Sequence, residues 1–346
     1  MRVRELIFGA IATALLVAYL VLGARFYATV GPVTAATPTP TVPRATNVPT
    51  TRVPGTIAFA LRGEIFVMRD GAYRAQTSEG RNQQPALSSD GRQLLFVRSE
   101  TIDGRRTADE QTTSARLGYS TVVAKQSGGG AETILLDGLR AKVPSGYHQV
   151  SWYLAPALAP DGRRLAFLED DGGGAADLVL LDLATKRRTV YSNGADLADV
   201  AWSPDGKTIA TTSYNTDLAG ILIWNADRPG TATRVKTPAD ADAYRPSFSP
   251  DGRWIVYTLR HDGRNDLHAF EIVTSRDIAL TDDGRSWNAV FSPDGGWIAF
   301  DRSEDGNVDL YAMELGTILT GGAAKGPIKL TKGEGVDGGS RPAWAR

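Results

Sequence analysis

Short runs of alternating apolar and polar residues, separated by turn residues, recur along most of the chain. In one unit that begins at Trp287, the segment WNAVFS is followed by the turn PDGG and the run WIAFDRS. The turn EDGN then leads to VDLYAMEL, and IKLT ends the unit at Thr331. Alternation with a period of two, bounded by Pro, Asp and Gly, is typical of β-strands joined by tight turns. Each unit is therefore predicted to contain four short strands.

The turn between the first and second strands is the most constant part of the repeat. It reads LSSDGRQLLF, LAPDGRRLAF, WSPDGKTIAT, FSPDGRWIVY and FSPDGGWIAF, and its aspartates are Asp90, Asp161, Asp205, Asp251 and Asp294. The last four of these aspartates are 43 to 46 residues apart, which is too short a unit to bury a core alone. Four-stranded units that pack side by side in a ring form a β-propeller. Because Asp-Gly forms tight turns, we expect a structural role for these aspartates.

The two ends of the repeat region supply the blade count. Residues 55–68 (GTIAFALRGEIFVM) read like the second and third strands of a unit without a first strand. Residues 341–346 (RPAWAR) read like a first strand with no turn after it. Joined, the two pieces complete one blade in addition to the five full units. The sequence therefore predicts an all-β fold: a six-bladed propeller over residues 55–346, with the first blade closed by both ends of the region.

Two phrases of the repeat carry a family resemblance. Residues 245–252 read RPSFSPDG, and residues 306–311 read GNVDLY. Together with a following Leu-Thr, they resemble the TolB-type propeller repeat, and the resemblance covers about residues 55–346. It implies a six-bladed propeller. The TolB family has an additional α/β domain before its propeller, whereas this chain has a different N-terminal segment, so only the propeller carries over.

The first 54 residues form two further segments. The run from Leu6 to Ala24 contains 19 residues without a charge and would span roughly 28 Å as a helix. Arg2 and Arg4 precede the run, which favours a cytoplasmic N-terminus and an extracytoplasmic propeller. Residues 1–30 are therefore predicted to be a single transmembrane anchor. The alternative is a signal peptide, whose cleavage would leave the protein periplasmic or secreted. Residues 31–54, rich in Pro and Thr, are predicted to be a disordered, extended stalk.

Charge and composition exclude some classes of partner. The chain has 38 Lys and Arg against 39 Asp and Glu, so its net charge of −1 gives no field to hold nucleic acid. No cysteine is present to form a disulfide or a thiolate metal site. Three acidic hairpins, at residues 170–177, 262–266 and 305–309, resemble oxygen-rich calcium loops. Turn chemistry is the favoured explanation. No cofactor or metal site is predicted, and calcium stays open as an alternative.

The start of each innermost strand is the predicted ligand site. Positions that differ between blades at one structural location are free for function, and these positions are expected to surround one mouth of the central channel. The hydrogen-bonding residues there are Gln84, Asp199, Arg245, Asn288 and Arg341. The neighbouring aromatic residues are Trp152, Tyr153, Tyr244 and Trp287. Such a rim could bind polar segments, carboxylates or sugars, and a simple solvated rim is the alternative.

Blade two carries extra length on the same predicted face. The additional residues fall in 99–119 and 137–153, whose Gly, Ser and Thr content favours mobile loops. Loops that lengthen on one face of a rigid ring often carry recognition. The sequence therefore favours a membrane-anchored, non-catalytic scaffold that binds a protein or peptide in the cell envelope. The alternative is a channel-mouth enzyme or a carbohydrate-binding accessory protein with a divalent cation. No catalytic residue is predicted.

Overall fold

The computed structural model describes residues 53–108, 111–139, 150–192, 194–322 and 325–346. The predicted anchor at residues 1–30 and the predicted stalk up to residue 52 lie outside the described residues. No helix among the described residues is long and apolar enough to cross a membrane.

The described strands form six four-stranded antiparallel sheets. The first blade contains β1 (Thr56–Leu61), β2 (Glu64–Arg69), β3 (Ala72–Ala75) and β24 (Ala343–Ala345). The second contains β4 (Asn82–Leu87), β5 (Gln93–Ala108), β6 (Gln111–Gln126) and β7 (Thr133–Asp137). The third contains β8 (Trp152–Leu158), β9 (Arg164–Asp170), β10 (Asp177–Asp182) and β11 (Arg188–Val190).

The remaining three blades follow the same order. The fourth contains β12 (Leu197–Trp202), β13 (Thr208–Ser213), β14 (Gly220–Asn225) and β15 (Ala232–Arg234). The fifth contains β16 (Asp242–Phe248), β17 (Trp254–His261), β18 (Arg264–Glu271) and β19 (Arg276–Ala279). The sixth contains β20 (Ser286–Phe291), β21 (Trp297–Glu304), β22 (Asn307–Glu314) and β23 (Ile328–Lys329), with a 3-10 helix, η1 (Ile318–Thr320), before β23. The predicted six-bladed propeller is confirmed.

The first blade joins the two ends of the propeller region. The C-terminal strand β24 pairs with β1, so that Thr56 lies opposite Ala345 and Ala58 lies opposite Ala343. The sheet order is β24-β1-β2-β3, which places the C-terminal strand innermost. Pairing of the two ends covers the inner edge of β1 and leaves only the three-residue strand β24 as the inner edge of this blade.

The packed part of the chain begins before residue 55. Val53 is buried in the core between the first and sixth blades. The carbonyl oxygen of Pro54 accepts a hydrogen bond from Trp344 Nε1 at 2.6 Å. Residues 53 and 54 therefore belong to the propeller and not to the stalk, because an apolar side chain and a tryptophan donor hold them against the first blade.

Apolar side chains fill the space between each pair of neighbouring blades. Six core clusters occupy the six interfaces of the ring. The cluster between the first and sixth blades, for example, joins Phe59 and Phe66 to Leu310. Burial on both faces of each sheet explains why the second and third strands read as nearly continuous apolar runs.

The insertion in the second blade is a strand hairpin. The ladder between β5 and β6 runs from the pair Gln93–Gln126 to the pair Ala108–Gln111. Beyond Ser99 and Ser120 the ladder continues as a two-stranded ribbon. The prediction of a mobile loop over residues 99–119 was therefore wrong, because these residues form paired strands. β-branched residues such as Thr101 and Ile102 favour continuation of the ladder. Residues 140–149 of the second insertion lie outside the described residues.

Candidate ligand site at the channel mouth

A β-bulge recurs near the start of the innermost strand in five blades. The pairing register of the first two strands shifts at the same place in blades two to six. One residue of each bulge has a positive φ, and these residues are Gln84 (51°), Ala155 (47°), Asp199 (54°), Arg245 (60°) and Asn288 (63°). Non-glycine residues adopt this conformation only where the surrounding structure holds it, and such sites often serve function. The predicted rim residues Gln84, Asp199, Arg245 and Asn288 thus share an unusual backbone conformation.

Side chains of the preceding blade hold most of these bulges. The backbone N–H groups at the bulges donate to side-chain oxygens: Gln84 to Ser340 (2.6 Å), Ala155 to Gln84 (2.7 Å), Arg245 to Thr212 (3.0 Å) and Asn288 to Thr258 (3.2 Å). Each bond crosses from one blade to the next. The mouth is therefore fixed by contacts around the ring as well as by contacts within each sheet.

A cavity of about 190 Å³ opens at this mouth. The predicted rim residues that line it are Gln84, Asp199, Arg245 and Arg341. Its apolar lining includes Leu154, Leu168, Leu197, Val200, Pro85 and Pro156. Tyr214, which is 48% exposed, also lines the cavity and was not predicted. Its position directly after the second strand of blade four was the available signal.

Arg245 is held at the edge of this cavity by uncharged groups. Its Nη1 donates to Asn288 Oδ1 and, at 2.8 Å, to the carbonyl oxygen of Gly338. The same carbonyl accepts from Trp287 Nε1 at 2.9 Å. The guanidinium carbon lies 5.8 Å from the centre of the Tyr244 ring, within cation–π range. Tyr244 and Trp287 therefore flank Arg245, as the sequence suggested.

A buried carboxyl group lies behind Arg245 and was missed by sequence reasoning. Asp301 is 0% exposed, and its Oδ2 accepts from Asn288 Nδ2 at 2.6 Å. Its Oδ1 has no hydrogen-bond partner in the described part of the chain. Burial raises the pKa of Asp301 to about 7, although the Asn288 hydrogen bond and the Arg245 charge act in the opposite direction. Asp301 lies opposite Trp287 in blade six, and Thr258 occupies the equivalent position opposite Tyr244 in blade five. An aspartate where the neighbouring blade has a threonine was the sequence signal for this buried group.

Arg341 lies across the channel. It precedes the first-blade strand β24, yet its Nη2 donates at 2.7 Å to the carbonyl oxygen of Val200 in blade four, and its Nη1 donates to that of Pro246 in blade five. Burial lowers the pKa of Arg341 from its ordinary value. The residue lines both the mouth cavity and a wider opening of about 620 Å³ on the side of the first-turn aspartates. Arg341 therefore separates the two halves of the channel.

Two predicted aromatic residues lie away from the cavity. Tyr153 is 3% exposed and packs edge-on against Phe167 at 5.5 Å between ring centres. It belongs to the core between blades two and three, because the equivalent of Tyr244 in this blade is Leu154, one residue later. The Trp152 ring instead lies against Gly118 of the ribbon, where an added Cβ would come within 2.6 Å of it.

The five repeat aspartates lie in the first turn of their blades. In each turn one carboxylate oxygen accepts the backbone N–H two residues later, with donors Arg92, Arg163, Lys207, Arg253 and Gly296 at 2.9 to 3.1 Å. The Ser203 and Ser292 hydroxyls lower the pKa of Asp205 and Asp294 by hydrogen bonding to the ionised carboxylates. These groups are engaged in turn geometry on the side opposite the mouth.

The acidic hairpins also use their carboxylates locally. Asp177, Asp266 and Asp309 each accept a hydroxyl and a backbone N–H from the loop that follows the fourth strand. The hydroxyl donors are Ser192, Thr281 and Thr331. Among the residues that the structure describes, no group of three or more His, Asp or Glu side chains is arranged to hold a metal ion.

Six four-stranded blades arranged around a central channel define a six-bladed β-propeller. The family model described as the TolB beta propeller domain matches residues 132–324. The chain therefore belongs to the TolB β-propeller family.

Similar proteins share this region or this fold. A TolB homolog of Chlorobium chlorochromatii (strain CaD3) is 27% identical over 205 residues, which are 58% of this chain and 42% of the relative. The structure of TolB from Acinetobacter baumannii aligns over 84% of this chain and 66% of the TolB chain, with 20% identity and a TM-score of 0.63. The structure of a puromycin-hydrolyzing peptidase of Mycobacterium tuberculosis aligns over 84% of this chain and 45% of the peptidase chain, with 14% identity and a TM-score of 0.53. The chain thus spans about two fifths of the curated relative, and both structures share the fold.

Proposed function

We propose that this protein is a non-catalytic receptor of the cell envelope that binds a protein or peptide segment at the mouth of its propeller. The observation that carries the proposal is the mouth cavity. It combines charged and hydrogen-bonding side chains with an apolar lining that includes Leu154, Leu197 and Val200. A peptide segment presents the same mixture of polar main chain and apolar side chain.

The shape of the channel supports binding from one direction. Arg341 lies between the mouth cavity and the wider opening at the far end. A segment that enters the mouth would therefore stop at Arg341. The hydroxyl oxygens of Thr212, Thr258 and Ser340 accept hydrogen bonds from the bulge N–H groups and hold the bulges before a ligand arrives. A preformed site reduces the ordering cost of binding.

The predicted anchor completes the proposal. A helix over Leu6 to Ala24 would hold the propeller at the outer side of the membrane, where an envelope partner could reach the mouth. Extraction of native membranes with alkaline carbonate tests this part. A retained anchor leaves the protein in the membrane pellet, whereas cleavage of a signal peptide releases it.

Site-specific photocrosslinking in native cells tests binding at the mouth. A benzophenone amino acid is placed at Tyr214 in the cavity or, as a control, at Val273, which is 87% exposed on the outer rim of blade five. We expect a defined protein adduct from position 214 and none of the same mass from position 273. Equal adducts from both positions, or none from position 214, would contradict the proposal.

A further inference from the structure

The mouth cavity is the size of one side chain. Its volume of about 190 Å³ is somewhat larger than that of an engineered protein cavity of about 150 Å³ that holds one benzene molecule. A helix or a folded loop does not fit in such a space, whereas a single side chain or the end of a chain does. The cavity therefore selects one anchoring group of a larger partner, and the chemistry of its walls decides which group.

The walls carry more positive than negative charge. The lining groups that carry a charge at neutral pH are the guanidiniums of Arg245 and Arg341 and the carboxylate of Asp199. Asp199 Oδ2 already accepts a hydrogen bond from Thr212 Oγ1 at 2.8 Å. The hydrogen bonds of Arg341 go to the uncharged carbonyl oxygens of Val200 and Pro246. Among the residues that line the cavity one positive charge is therefore in excess, and Asp301, which does not line it, lies behind Asn288.

Arg245 is oriented for a planar anion. Its Nη1 is engaged by Asn288 and Gly338, which fixes the plane of the guanidinium beside the Tyr244 ring. These bonds do not use Nε and Nη2, which form the edge that pairs with a carboxylate through two parallel hydrogen bonds. Gln84 uses its Oε1 to accept from Ala155, so its amide nitrogen is the donor that remains. Leu154 and Leu197 can contact an aliphatic stem.

We propose that the mouth cavity recognises a carboxylate of the bound partner, with Arg245 as its principal donor and Gln84 as an auxiliary donor. The carboxylate belongs either to an acidic side chain or to the C-terminus of a chain, because both present the same two oxygens. This inference rests on the proposed function, since it names the group by which a partner is held. Arg341 closes the end of the cavity and adds long-range attraction for the anion.

Short peptides of known charge test the inference on the full-length protein in nonionic detergent. Calorimetric titration compares acetyl-Gly-Gly-Glu-Gly-Gly-amide with the same peptide containing Gln. A second pair compares acetyl-pentaglycine having a free C-terminal carboxylate with its amide. We expect at least one carboxylate peptide to bind about tenfold more tightly than its neutral counterpart, with the preferred pair identifying the source of the carboxylate.

An arginine variant and a matched control locate the effect. Arg245→Gln should abolish the preference for the carboxylate, whereas Arg92→Gln should retain it. Arg92 has an 84% exposed side chain next to the first-turn aspartate Asp90, so its replacement removes the same charge outside the cavity. Thermal melting confirms that both variants are folded, and the peptide comparison on the unmodified protein remains decisive if Arg245→Gln does not fold.

The outcomes separate this inference from the proposed function. Equal binding of carboxylate and neutral peptides, binding of none of the four up to millimolar concentration, or a preference that survives in Arg245→Gln would each overturn the inference. A protein adduct at position 214 together with one of these results would leave the receptor function standing. A carboxylate preference without any such adduct would instead support the site and contradict the receptor function.

Discussion

At the residue scale, the mouth is built from residues that use their polar groups unusually. The guanidinium of Arg341 donates hydrogen bonds to backbone carbonyl oxygens of two other blades. Asn288 connects Arg245 to the buried Asp301 and also donates to Gly338. Buried polar groups are costly unless they are hydrogen-bonded. Such groups are therefore tolerated here by a connected network, and the weakest member of that network is Asp301 with its unpartnered Oδ1.

The raised pKa of Asp301 predicts a pH dependence of stability. Its folded-state pKa of about 7 exceeds its ordinary value of 3.8, so between these pH values the folded state binds the proton that the unfolded state has released. Stability therefore decreases as pH rises from about 4 to about 7, and the cost of the buried charge is then complete. Asp301→Asn should remove this dependence and raise the free energy of unfolding at pH 8 by on the order of 1 kcal/mol or more.

Chemical denaturation of both proteins at pH 5 and pH 8 measures this difference. The free energy of unfolding of Asp301→Asn should exceed that of the unmodified protein by more at pH 8 than at pH 5. Asp217→Asn, at an exposed position of blade four, is the control, and it should change the free energy of unfolding equally at both pH values. A gain of equal size at the two pH values would show that the charge of Asp301 is not the cause.

At the scale of elements, the repeated bulge is the feature that shapes the site. It changes the direction of one residue in the innermost strand of each of blades two to six, and side chains of the preceding blade accept hydrogen bonds from most of the resulting N–H groups. Bulges disturb the ladder locally and are usually kept for a purpose. The blades are therefore coupled to one another at the mouth by polar bonds, in addition to the apolar clusters between their sheets.

Thr258→Val tests this coupling. The substitution keeps the shape of a fully buried side chain but removes the acceptor of the Asn288 N–H. An unsatisfied buried donor costs about 1–3 kcal/mol, so the free energy of unfolding should decrease by roughly that amount. Thr233→Val, at an exposed position of the outer strand β15, is the control and should change stability little. Equal effects of the two substitutions in chemical denaturation would argue against a role for the bulge bond.

At the scale of the whole molecule, the ring is closed by a short strand. The three residues of β24 supply the innermost strand of the first blade, and Trp344 bonds to Pro54 beside it. Six clusters complete the circle of interfaces. Loss of this innermost strand would expose the edge of β1 and part of the interfaces of the first blade with blades two and six.

Removal of residues 341–346 should therefore destabilise the whole propeller. The truncation deletes Arg341 and β24 together. The melting temperature should decrease by about 5 °C or more, since 1 kcal/mol shifts that of a domain of about 150–250 residues by roughly 2–4 °C. Deletion of the exposed Arg346 alone is the control. Differential scanning fluorimetry measures both proteins, and an unchanged melting temperature in the longer truncation would contradict the closure as a source of stability.

The sequence by itself determined the propeller, its blade number and the closure of the first blade. These follow from local chemistry, since alternation with a period of two and Pro-Asp-Gly turns are written in consecutive residues. It also placed Gln84, Asp199, Arg245 and Arg341 near one another, because internal repetition aligns equivalent positions.

Only the tertiary structure decided which of these groups meet and how they are engaged. The one-residue difference between Tyr153 and Leu154 is a matter of register, which pairing across strands fixes. The contacts of Arg341 with blades four and five and the burial of Asp301 behind Asn288 depend on residues far apart in the chain. Such contacts form only when the blades come together in the closed ring. No local pattern in the sequence can predict them, because the residues involved are not neighbours in the chain.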